Sequence, residues 1–128
     1  MALNFFQRRK ILKKLNYLEV VPVAKVGHEI DEKGMVILLV PKFSNEKFNN
    51  FMFKNRTRHF KIHLDELGSS VWLQIDGVRK VGEIIQNLNE AQEGGLPDAE
   101  MRVTKFMTML YETRYISFRE IEEKKATR

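Results

Sequence analysis

Four groups of residues in this 128-residue chain are of types that could do chemistry, and the spacing of each argues against it. Asp65 and Glu66 are adjacent carboxylates. Neighbours on a helix point in different directions, whereas a general acid and base must converge on one substrate. Ser69 and Ser70 have no His nearby in sequence and sit at a helix start, where hydroxyls are common. His28, His59 and His63 could suggest a metal. However, the four-residue spacing of His59 and His63 brings ligands together on a helix, not on the strand predicted there. Gly94-Gly95 lacks the Gly and Lys spacing of a phosphate loop. The chain therefore reads as a non-enzyme with no metal and no cofactor, and its function is to be sought on a surface.

With no Cys, the chain can supply neither disulfides nor thiolate metal sites. No apolar run approaches the roughly 18–20 residues of a membrane-spanning helix. The opening MALNFFQRRKILKK has its charges after its apolar residues, the reverse of a secretory signal, so the expected home is the cytoplasm. The net charge of +5 is divided unevenly. Residues 1–64 hold 13 Lys+Arg against 5 Asp+Glu, and residues 65–128 hold 9 against 12, giving +8 and −3. The N-terminal half should attract anions, or else its charge merely solubilises the surface.

The elements follow from periodicity. Asn4 to Leu15 has helical spacing, with Phe5, Leu12 and Leu15 on one side and five basic residues around the rest. Val23 to Ile30 reads as a strand, Asp31 to Gly34 as a turn, and Met35 to Val40 as a second strand ended by Pro41. Lys42 to Thr57 is an insertion with a short helix from about Asn45 to Phe53. Arg58 to His63 alternates as a half-buried strand does: Phe60, Ile62 and Leu64 share one face, His59, Lys61 and His63 the other. Asp65 caps a helix with the stripe Leu67, Val71, Trp72 and Ile75, ended by Gly77. Val81, Ile84, Ile85 and Leu88 mark a second helix. Pro97 opens a third, with Met101, Phe106, Met107, Leu110 and Tyr111 on its apolar side; Met101, Met107 and Met109 are expected to fill gaps. Ile116 and Phe118 form a final extended segment, and the charged tail from Glu120 frays.

The spaced set Leu64, Asp65, Gly68, Val71, Trp72, Ile75, Asp76, Gly77, Val81, Glu83 and Ile84, followed by Phe106, Leu110 and Ile116, resembles the PqqD family. The prototype of that family is the peptide chaperone of pyrroloquinoline quinone synthesis. The resemblance covers about Arg58 to Phe118 and implies an α+β winged helix-turn-helix fold, a small three-stranded antiparallel sheet on a three-helix bundle. The implied layout is a basic helix and linker over 1–22, the PqqD-like domain over 23–118 with its insertion at 42–57, and a charged tail over 119–128.

By the same resemblance the chain would be a recognition element of ribosomal peptide maturation. It would bind a precursor's leader as an added strand and present it to a modifying enzyme, a radical-SAM maturase. Carried onto this chain, the peptide-binding edge is Arg58, His59, Phe60, Lys61, Ile62 and His63, and the groove wall is Arg102, Val103, Phe106, Met107 and Leu110. Two departures from the family pattern bear on local structure. Lys80 stands where a Thr is usual, so the second helix loses a hydroxyl cap. Arg114 stands where a Gly often reverses the chain, so that turn is expected to be looser.

The physics suits a peptide, because an open strand edge is a template of unpaired N–H and C=O groups. The same edge could pair two copies of the chain. Arg58, Lys61 and Arg102 offer charge complementarity to an acidic leader. Core packing is the competing role for the apolar residues of the third helix, and Trp72 reads as a core anchor. The basic stretches at Phe5–Leu15 and Phe48–Lys54 could dock a partner, lie on a membrane without stable insertion, or cover the domain's flank. The alternative function is a DNA-binding winged-helix regulator. Its recognition helix would need several Arg, Lys, Asn or Gln, yet the third helix sets Arg102 and Lys105 against Asp98, Glu100 and Glu112, so no nucleic acid is expected.

Overall fold

The computed structural model describes residues 16–41 and 59–126; the expected N-terminal helix, the 42–57 insertion and Arg58 lie outside them. The described chain is α+β, with two small antiparallel sheets and, among the described residues, four α-helices. It divides into two compact units, one of residues 26–69 and one joining the residues before it to those after it.

The first unit is built around a three-stranded sheet. Its strands are β2 (Gly27–Ile30), β3 (Val36–Pro41) and β4 (His59–His63), in the order β2-β3-β4 and antiparallel throughout. The turn between β2 and β3 is closed by Asp31, whose Oδ1 accepts from the amides of Lys33 at 2.8 Å and Met35 at 2.9 Å. Gly34 takes φ +84° there, a conformation that an L side chain resists. Pro41 ends β3 as expected and is itself the strand's last residue. Its partner in the register is His59, at a position where β3 directs no N–H toward β4. Val36 and Leu38 are fully buried.

The strand expected over Val23–Ile30 is two strands belonging to different sheets. β1 (Pro22–Ala24) pairs with β5 (Ile116–Phe118), Pro22 opposite Phe118 and Ala24 opposite Ile116. The break falls at Lys25-Val26 because the partner of β1 comes from more than ninety residues away, which local alternation does not encode.

Helix α1 (Glu66–Gln74) starts as predicted, with Asp65 Oδ1 accepting from the Gly68 amide at 2.7 Å. It stops earlier than Gly77. Asp76 Oδ1 accepts from the amides of Val78 at 2.9 Å and Arg79 at 2.8 Å, and Gly77 takes φ +78° within that turn. These backbone donors, Arg79's first, hold the Asp76 carboxyl below the ordinary aspartate range. Val71 and Trp72 are buried as expected, while Leu67 and Ile75 are only half-buried.

Helix α2 (Val81–Ala91) lacks a hydroxyl cap, as Lys80 implied. Glu83 supplies one half of the usual reciprocal arrangement by accepting from the Lys80 amide at 3.0 Å. The Lys80 ammonium has no acceptor to supply the other half. It donates to Glu19 at 2.7 Å instead, and that partner raises its pKa. Val81, Ile84 and Leu88 are the buried stripe.

Helix α3 (Ala99–Glu112) buries Val103, Met107, Leu110 and Tyr111. Met101 and Met109 do not fill gaps: they are 61% and 42% exposed. Both fall on the side of the helix opposite the buried stripe, given 3.6 residues per turn. After α3 the chain reverses through Arg114 at φ +67°. The reversal is not loose, because the Arg114 amide donates to the Tyr111 carbonyl at 3.0 Å and the Tyr115 amide to the Leu110 carbonyl at 2.9 Å. The Phe118 ring then meets Tyr111 at 5.1 Å and Tyr17 edge-on at 5.8 Å.

The tail expected to fray is helical as α4 (Arg119–Ala126). Its Arg, Glu, Lys and Ala are good helix formers, but a helix this short is marginal alone; Ile121 is 4% exposed, and burying such a side chain contributes about 1.5–3 kcal/mol. The Arg119 amide donates to the Val21 carbonyl, and Glu120 accepts from the Val21 amide, both at 2.9–3.0 Å. The boundaries expected after 22 and 118 therefore both fall inside hydrogen-bonded structure.

Candidate functional site

The hydrogen-bond phase of β4 decides which of its groups are available. The Leu64 amide donates to the Val36 carbonyl at 3.0 Å, which makes 36 and 64 a hydrogen-bonded pair. Such pairs alternate along an antiparallel ladder, so Ile62 and Phe60 also direct their backbone groups toward β3, opposite Leu38 and Val40. His59, Lys61 and His63 direct theirs away from the sheet. Among the described residues no strand pairs with β4 on that side. Three residues thus offer N–H and C=O groups to an incoming strand.

The side chains alternate as the sequence predicted. Phe60 and Ile62 share the side of Val36, Leu38 and Val40; Phe60 is 53% exposed. His59, Lys61 and His63 share the other side with Ile37, Leu39 and Pro41. Lys61 reaches diagonally over β3 to Glu29 of β2, at 3.1 Å, with both side chains well exposed. Exposed pairs of this kind contribute about 0–1 kcal/mol, so a competing carboxylate can exchange for Glu29 at little loss. Sequence reasoning missed Glu29 because the contact depends on two strand registers at once.

His59 and His63 lie four residues apart on one side of a strand, roughly 13 Å along the chain, too far to share a metal ion. Among the described residues no group of three metal-ligating side chains assembles. No described helix is long and apolar enough to cross a membrane.

The helix residues named with the edge differ sharply in exposure. Val103, Met107 and Leu110 are completely buried, so their side chains have no surface to offer a ligand. They make the interior of their own unit. Arg102 is exposed and Phe106 half-buried. The missed neighbour is Met109, seven residues beyond Arg102 and three beyond Phe106, a spacing that puts all three along one accessible strip.

Residues 55–116 match the family model described as Coenzyme PQQ synthesis protein D (PqqD). The chain carries a PqqD-family segment. The match takes in 62 of the 128 residues, just under half, and runs from before β4 to the first residue of β5. No curated protein and no solved structure matches the chain. Within the PqqD segment, several residues that carried the resemblance have structural roles: Asp65 caps α1, Asp76 and Gly77 build the turn after it, and Leu110 is core. The side chains of Phe60, Lys61 and His63 on β4, and those of Arg102 and Met109 on α3, are exposed.

Proposed function

We propose that this chain is a non-catalytic peptide-binding module that captures the leader of a ribosomally made precursor by strand addition at β4. It would present that leader to a separate modifying enzyme, and the family resemblance favours a radical-SAM maturase. The fold is read here as winged helix-turn-helix in type. One observation carries the reading: within the PqqD segment, His59, Lys61 and His63 turn their backbone groups outward from a sheet that ends there among the described residues. Main-chain hydrogen bonds at such an edge supply affinity without demanding one side-chain sequence. Arg102, Phe106 and Met109 are the accessible helix residues that fit the same role.

The test uses a small precursor peptide, sought among the reading frames beside this chain's gene. Calorimetry is expected to show saturable binding, and amide hydrogen exchange to slow at His59, Lys61 and His63. A peptide proven to be modified in the pathway that gives neither heat nor protection at those amides overturns the proposal. A complex protected at the β2 edge and not at β4 also overturns it.

A further inference from the structure

The two sides of β4 differ in chemistry, and the register assigns each residue to one of them. Phe60 and Ile62 stand on one side; His59, Lys61 and His63 stand on the other, successive basic groups about 7 Å apart along the strand. A strand added at this edge must place its own alternate side chains over the same two sides. Building on the strand-addition reading, we propose that the captured segment alternates acidic and apolar residues. Its acids lie over His59, Lys61 and His63, its apolar residues over Phe60 and Ile62.

From β3 the side of His59, Lys61 and His63 carries Ile37, Leu39 and Pro41, none of them charged. From β2 it carries Gly27 and Glu29, and Glu29 is the carboxylate already held by Lys61. An acid on the added strand takes the same kind of place beside Lys61 that Glu29 holds.

The full chain is titrated by fluorescence anisotropy with three labelled probes. One alternates Glu and Val, one alternates Lys and Val, and one has the Glu/Val composition rearranged as two blocks. The alternating acidic probe is expected to bind most tightly, with Kd roughly three- to tenfold lower than that of the block isomer. The variant K61E is expected to bind it several-fold more weakly. Equal affinity for the block isomer, or tighter binding of the Lys/Val probe, overturns the inference. If exchange protection at His59, Lys61 and His63 persists in that case, strand addition itself still stands. If no probe protects those amides, both readings fall.

Discussion

Ser69 occupies the last rung of the β3–β4 ladder: its Oγ accepts from the amide of Val36 at 2.8 Å and lies 3.5 Å from the carbonyl of Leu64. A hydroxyl from the start of α1 thus bridges the two strands where direct pairing ends. Both Ser69 and Val36 are buried, so water cannot readily replace it. Ser69→Ala leaves the Val36 amide without its partner, and a loss of about 1–3 kcal/mol is expected in urea unfolding. Ser69→Thr tests the same point by keeping the acceptor.

Arg114 holds a left-handed conformation without being glycine. Arg114→Gly is expected to raise stability by about 0.5–1 kcal/mol, because relief of the side-chain strain exceeds the added freedom of the unfolded chain. A lower melting temperature for Arg114→Gly would show that the Arg side chain compensates for its own backbone.

The turn after α1 should respond to acid. Asp76 has its carboxyl held below the ordinary range by the Arg79 and Val78 amides. Its contribution is therefore complete above the unfolded aspartate value and is lost as pH falls through the lower folded value. Melting temperature followed from pH 6 to pH 2 should fall less steeply in Asp76→Asn than in the natural chain. Parallel curves would remove Asp76 from the account.

Gly82 opens α2 against the segment before β1. A Cβ added there would sit 3.0 Å from the backbone carbonyl oxygen of Leu18. Ala normally favours a helix over Gly by about 1 kcal/mol. Gly82→Ala is nevertheless expected to lose about 1 kcal/mol net, as the backbone of Leu18 is forced to shift. A stabilised variant would mean that this segment moves freely.

Core and surface roles on α3 can be separated by measuring two quantities at once. Met107→Ala should lower unfolding free energy by about 2–5 kcal/mol through a cavity, with peptide affinity unchanged wherever the variant is folded. Arg102→Glu should leave the unfolding curve nearly unmoved and weaken an acidic peptide several-fold. The reverse pattern would exchange their assignments.

What the sequence disclosed depended on how local the cause was. The alternation of residues 59–64, the Asp31 turn and the Asp65 cap are set by neighbours within a few positions, and each was legible. The break between β1 and β2 was not, since β1 is a strand only by pairing with β5. Nor was α4: its Glu, Lys, Arg and Ala suit a helix, but so short a charged segment is held only by burying Ile121 and by its bonds to Val21. For the candidate site, β4 itself was readable, but its direction of hydrogen bonding was not, because that phase is fixed by the Leu64–Val36 bond. Helical spacing correctly grouped Met107 and Leu110, yet could not say that Met101 and Met109 face outward, since large apolar residues fit either side.

The stretch matched by the family description is expected not to fold by itself. Cut at residues 55 and 116, it would strip β4 of its neighbour β3, and it would leave only the first residue of β5 and remove its neighbour β1. A truncated polypeptide with those ends should be recovered as aggregate, and recombinant work on this protein has to include Val20 and run through Ile121.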